Sequence, residues 1–228
     1  MSTVQSTWVA PAQAGVGMGH RKRPARPRGS LRLLAVAATV CAACPLSGKE
    51  SDEAVRNREY RIKAAFLYNF IRTVDWPEGR FADSNEPWVI GIVGKDPFGD
   101  AFGRVPDKAV KGRQVVIKRL PGVRDTPVSD PQNGTRAAHT DALRRCHLLF
   151  VCRSEQASAP GLVQAVAGAS VLTVGEVQGF LECGGCINFI PGADKGDFEI
   201  NLDACKRAQL EVSSKLIRIA QRVIQGKK

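Results

Sequence analysis

The chain is poor in the side chains and motifs that mark most enzymes and most nucleic-acid binders. Histidine occurs three times in 228 residues, at His20, His139 and His147. None has a helical His partner or a neighbouring carboxylate pair, so neither a zinc site nor a Cys/His nucleophile is expected. No Gly-x-Ser-x-Gly elbow occurs, which removes that route to a serine hydrolase. The turn Gly94-Lys-Asp-Pro-Phe-Gly99 imitates the glycine spacing of a phosphate loop, but Asp100 and Ala101 stand where a lysine and a hydroxyl are needed. A carboxylate there repels phosphate, and the three-glycine dinucleotide fingerprint is missing too. No metal and no cofactor are therefore expected.

Acidic residues are absent from positions 1–43, which carry six basic residues (Arg21, Lys22, Arg23, Arg26, Arg28, Arg32). The net charge of +11 is thus concentrated at the front. Residues 44–228 hold the remaining 27 basic against 22 acidic residues, a net +5. No basic stripe interleaved with aromatics appears, and nucleic-acid binding is not expected. The apolar run Leu31–Ala43, broken by Arg32 and Thr39, is too short for a stable bilayer anchor. With its basic flank and the small residues Ala42-Ala43 it reads as a secretory signal peptide over residues 1–43. No Arg-Arg pair precedes the run, so nothing favours the twin-arginine route. Met18 is an alternative start to Met1, and lipidation at Cys44 in Cys41-Ala-Ala-Cys44 is a minor alternative to cleavage.

Residues 44–58 form a polar lead-in, with a helix cap near Ser51 or Asp52. Ile62, Phe66, Phe70 and Val74 recur every fourth residue, with Leu67 and Ile71 beside them, which predicts a half-buried helix. Arg61, Lys63, Asn69 and Arg72 fall off that stripe, and Trp76-Pro77 ends it. The apolar run Trp88–Gly94 predicts a strand buried on both faces, Lys95–Val105 a turn into a short helix, and Gly112–Leu120 the next strand. Pro121–Thr140 reads as a turn-rich surface insertion. Cys146–Cys152, Gly161–Ala167 and Ser170–Gly175 make a second strand–helix–strand unit. Gly184–Ile190, a turn over Pro191–Gly196, and Asp197–Leu202 predict a β-hairpin. Leu216, Ile219, Ala220 and Val223 share one face of a closing helix. The fold class is α/β: a single compact domain over residues 59–228, its partly parallel sheet flanked by helices, with a C-terminal hairpin and closing helix.

The cysteines are the most informative polar set. Cys183-Gly-Gly-Cys186 fits a zinc half-site, a redox pair or a structural disulfide. No second Cys-x-x-Cys completes a zinc site, and the motif opens a strand where a redox pair would start a helix. Export favours oxidation, so a Cys183–Cys186 bridge is the first expectation. Cys146 and Cys152 end one extended strand, roughly 20 Å apart, and cannot pair with each other. Cys205 pairs with one of them or stays free. Glu199 and Asn201 are two apart on one strand face, where fixing backbone is the commoner use of such a pair.

Four blocks, in order, resemble the YfiR family of bacterial periplasmic regulators. They are the helix with Phe66, Phe70, Trp76 and Pro77; Val89–Gly94 with Asp96-Pro97-Phe-Gly99; Cys146–Val151; and Gly184-Gly185-Cys-Ile-Asn188-Phe189 with Phe198-Glu199-Ile-Asn201-Leu202. Ser213–Leu216 and Ile219-Ala220 resemble that family's closing helix, so the likeness spans roughly residues 59–224. The insertion Asp125–Thr140 and Cys186, where an apolar residue is expected, depart from it. The resemblance implies a non-enzymatic regulator that binds an inner-membrane sensor or diguanylate cyclase from the periplasm. An OmpA-like outer-membrane lipoprotein that sequesters the regulator, and homo-oligomerisation, are compatible with that role. The alternative is a periplasmic small-molecule-binding or thiol-redox protein using Cys183 and Cys186.

Overall fold

The computed structural model describes residues 52–83, 85–105, 109–125, 135–190 and 196–226. The expected signal segment, both candidate start methionines, Cys41, Cys44 and most of the hairpin turn lie outside these residues. In chain order, α1 (Asp52–Thr73) runs into β1 (Val74–Asp75), followed by β2 (Trp88–Val93), a 3-10 turn at Ala101–Arg104, β3 (Ala109–Val110) and β4 (Arg113–Leu120). Then come α2 (Thr135–Arg144), β5 (Leu148–Val151), a second 3-10 stretch, α3 (Ala159–Ala165) and β6 (Leu172–Gly175). The chain closes with β7 (Ile187–Phe189), β8 (Phe198–Asn201), α4 (Leu202–Arg207), β9 (Glu211–Val212), α5 (Ser214–Ile219) and β10 (Arg222–Ile224).

The main sheet has the order β10-β8-β7-β6-β5-β2-β4-β3. Its central strands β4, β2, β5, β6 and β7 are parallel. β8 returns antiparallel to β7, so the expected hairpin is present, and β3 folds back on β4. β1 and β9 form a separate antiparallel pair that clasps the end of α1 to the C-terminal region. Strand side chains alternate between two cores, as a sheet covered on both faces requires. On β5, Leu148 and Phe150 join α1, β7 and β8 in one core, and Leu149 and Val151 join Leu143 of α2 and Leu162 of α3 in the other. The expected α/β class with a partly parallel sheet is the observed one.

Three elements differ from the sequence reading. α1 begins at Asp52, where the expected cap near Ser51 or Asp52 puts it, so residues 52–58 of the expected lead-in are already helical, with Asp52 and Glu53 at the positive end of the helix dipole. Its buried face is also rotated: Tyr60, Lys63, Ala64, Leu67, Tyr68, Phe70 and Ile71 are buried, whereas Ile62 and Phe66 are only half-buried. The expected insertion contains α2 from Thr135 onward, which supplies the crossover from β4 to β5 and packs Leu143 in the core. The closing helix is two elements rather than one. α5 stops at Ile219, Ala220 is extended, and Gln221 N–H donates to Phe198 O at 2.9 Å to start β10 beside β8.

β2 lies between β4 and β5, so the chain leaves it toward one side and later continues on the other. In such sheets the carboxyl ends of the strands at this reversal open a crevice where ligands are usually found. That places the first region to inspect.

Candidate functional site

Four strand ends converge on this crevice: Gly94–Asp96 after β2, Gly122–Val123 after β4, Cys152–Glu155 after β5 and Glu176 after β6. Gly94 has φ +99°, and a Cβ there would stand 2.5 Å from Ser154 Oγ and 2.8 Å from Glu155 Cγ, so only glycine fits. Lys95 N–H donates to Ser154 Oγ at 2.9 Å and Val123 N–H to Glu155 Oε2 at 3.0 Å. The buried Glu155 side chain thus fills the space a phosphate would need. Asp96 accepts from Phe98 N–H at 2.7 Å and from Arg119 Nε at 2.6 Å, and Gly99 O accepts from Arg119 at 3.3 Å. Pro97 and Gly99, at φ +52°, belong to a turn held by that carboxylate. The loop closes on itself and offers no open anion site.

Behind it lies a buried charge cluster that the helical period conceals. Lys63, 1% exposed, donates to Glu176 Oε2 at 2.7 Å and pairs with Glu59 Oε1 at 2.5 Å. Tyr60 OH donates to both Glu176 oxygens at 3.0 and 3.1 Å. Burial, and then the charge of Glu176, hold the Tyr60 phenol well above its usual range, so it stays a donor. Burial likewise raises the Cys152 thiol, with Glu176 the next cause. Glu176 accepts from both neighbours, and its role here is to satisfy a buried lysine. The sequence places Lys63 off the apolar stripe, and its only local signal is the i,i+4 spacing to Glu59.

The remaining family-motif residues hold backbone and core. Phe66 and Phe70 pack against Phe189 and Phe198 with ring centroids 5.1–6.2 Å apart. Trp76 Nε1 donates to Ser170 O at 2.9 Å, its ring meets Trp88 edge-on at 4.9 Å, and Pro77 O closes a turn with Arg80 N–H. Asn188 Oδ1 accepts from Val177 N–H at 3.1 Å while its amide donates to Glu199 at 3.2 Å. Glu199 also takes Arg222 Nε at 2.6 Å, tying β8 to β10. Asn201 Oδ1 caps α4 through Ala204 N–H at 2.9 Å, and its amide donates to Leu181 O at 3.0 Å. Gly184 turns at φ +98°, and Gly185 lies where a Cβ would collide with the Phe180 ring.

Neither described histidine has the surroundings of a catalytic base. His147 is fully buried, accepts Val89 N–H at Nδ1 (3.0 Å) and stacks on Phe81 at 4.5 Å. Burial, helped by Arg80 and Arg113, pushes it down to about 3. His139 lines a cavity of about 360 Å³ between α2 and α3 with Val123, Leu143 and Leu162, and burial lowers it too. Among the described residues no group of three or more His, Cys, Asp or Glu is placed to hold a metal.

The thiols are arranged differently from the expectation. All five described cysteines are free, and the Cys183–Cys186 bridge is not formed. Cys183 Sγ donates to Phe180 O at 3.1 Å, while the Cys186 thiol hydrogen-bonds to that of Cys205. Cys146 Sγ donates to Ala142 O at 3.4 Å, and burial pushes its pKa up to about 11. Cys183 and Cys186 line one cavity of about 280 Å³ with Thr173, Ala204 and Arg207.

Among the described residues no helix is long and apolar enough to cross a membrane. No curated protein matches the chain. Two solved structures are similar at low identity. An ABC domain from Streptococcus pneumonia, in complex with L-Trp, is 12% identical with a TM-score of 0.46, the match covering 71% of this chain and 60% of that one. A conserved domain protein from Vibrio cholerae is 10% identical with a TM-score of 0.46, covering 72% of this chain and 60% of that one. The chain therefore spans less than two thirds of the length of either. Residues 60–221 match the model of the YfiR/HmsC-like family, and by that match over most of its length the chain belongs to the YfiR/HmsC-like family.

Proposed function

We propose that this chain is a non-enzymatic periplasmic regulator that binds and represses the extracytoplasmic domain of an inner-membrane signalling protein, a diguanylate cyclase. The observation that carries this reading is family membership over residues 60–221. The geometry supports it: the crevice is filled by Glu155, the buried carboxylate Glu176 is committed to Lys63 and Tyr60, and the motif residues serve the scaffold. Residues 1–43 act as the export signal, and the domain that follows opens with the helix starting at Asp52. An OmpA-like outer-membrane lipoprotein is the partner that would draw the regulator away.

Deleting the gene should raise cyclic-di-GMP and surface attachment, and overproduction should lower both. Unchanged cyclic-di-GMP in both strains would remove the cyclase. Pull-down from membranes then decides the wider claim, since recovery of no membrane signalling protein counts against it. Mass spectrometry of the native protein should find an N-terminus near Ala43–Gly48. A second reading, small-molecule binding or thiol exchange at Cys183 and Cys186, has the 280 Å³ cavity beside both residues in its favour. A ligand retained through purification, or rapid exchange with a folded protein, would favour it.

A further inference from the structure

The geometry points to a disulfide between Cys186 and Cys205 that joins α4 to the β7–β8 hairpin, leaving Cys183 as a free thiol. Cys186 and Cys205 are hydrogen-bonding neighbours, and both side chains are buried in the same core at 2% and 1% exposure. Their backbones are held on both sides. Asn201 N–H donates to Cys186 O at 2.8 Å, fixing Cys186 across the sheet from the start of α4. Asn201 Oδ1 caps that helix at Ala204, Cys205 follows in its first turn, and Cys205 O accepts Leu210 N–H at 2.9 Å. Cys183 is engaged elsewhere, its thiol on Phe180 O beyond the turn at Gly184 and Gly185.

The cavity wall also supplies a route for chemistry. Cys186 faces the space it shares with Arg207 and Thr173, and Thr173 Oγ1 accepts Cys186 N–H at 3.0 Å. Hydrogen bonds from Cys205 and Thr173 favour the Cys186 thiolate, while sharing its proton and burial hold Cys205 protonated. Cys186 lines the cavity and Cys205 is not among its lining residues, so Cys186 is the attacking sulfur. With glutathione disulfide as oxidant, Cys186 attacks one of its sulfurs, the glutathione S–S bond breaks, and one glutathione leaves as thiol. Cys205 then gives up its proton and attacks the Cys186 sulfur of the mixed disulfide, releasing the second glutathione. Two protein thiols are oxidised, and the two electrons reduce one glutathione disulfide to two thiols.

The proposal does not depend on the regulatory reading or on compartment, because the oxidant can be supplied to the purified protein. The reduced full chain is incubated with oxidised glutathione, denatured, alkylated, digested and mapped by mass. A Cys186–Cys205 linked peptide, roughly 2 Da lighter than its two reduced halves, is expected, with Cys183 alkylated. Cys183→Ser should form the same link, and the unfolding midpoint of both proteins should rise on oxidation. A Cys183–Cys186 linked peptide would overturn the proposal, as would recovery of Cys186 and Cys205 both alkylated from the oxidised, folded protein. Cys205→Ala should show no oxidation-dependent rise in midpoint, and wild-type mapping decides alone if that variant does not fold.

Discussion

Lys63 is the residue whose placement costs most, because a buried ammonium is tolerated only while its partners remain. Lys63→Met leaves Glu176, 1% exposed, charged and facing Tyr60 alone. The expected loss is about 3–5 kcal/mol, read by urea denaturation. The double variant Lys63→Met with Glu176→Gln should recover much of it, since no buried charge is left over. A single variant within about 1 kcal/mol of wild type would mean the pair is solvated. Helical spacing could not reveal this pair, because the partners lie 113 positions apart and a charged side chain normally marks the wet face. His147 sets a pH limit of its own. Its folded pKa, about 3, is depressed below the unfolded value, so the unfolded chain binds a proton first as pH falls. The stability that neutral His147 contributes is full above about pH 6.5 and is lost as pH drops toward 3. Urea melts between pH 4 and 7 should show a slope of up to about 1.4 kcal/mol per pH unit, and His147→Gln should flatten it.

Among the elements, those whose sequence pattern is also their tertiary environment were legible. β2 is continuous apolar sequence because both faces are covered, and the β7–β8 hairpin follows from two short apolar runs around a turn. The C-terminal elements were not. Leu216, Ile219, Ala220 and Val223 satisfy a helical period, yet the chain gains more by pairing Arg222–Ile224 with the open edge of β8, and no local pattern announces a free edge. The thiol partner of Cys186 escaped for the same reason, being supplied by a short helix that the period did not show. Gly185 tests how tightly the hairpin entrance is packed. A Cβ there meets the Phe180 ring and lies 2.7 Å from the Phe180 carbonyl oxygen, which is backbone and cannot swing aside. Gly185→Ala should cost about 1–3 kcal/mol in a denaturant titration. Gly103→Ala, with nothing within 4 Å of its Cβ, is the control and should change little.

At the scale of the whole molecule, the apolar surface left at the C-terminal edge is where binding by the proposed regulator is best tested. Ile219 and Val223 are 59% and 38% exposed. Replacing either with Asp should leave stability within about 0.5 kcal/mol and reduce capture of the membrane partner by about tenfold or more. Unchanged capture would move the contact surface elsewhere. The β1–β9 clasp and the α1 rings seated on β7 and β8 have a consequence in time. Val74 pairs with Val212, and Phe70 packs on Phe198, so the first helix has no completed core until the last strands are present. A growing chain of this topology cannot close early, and contacts this distant in sequence form slowly. Such delay keeps the polypeptide threadable for as long as it is being made, which is the state that the proposed export through a narrow membrane pore would demand.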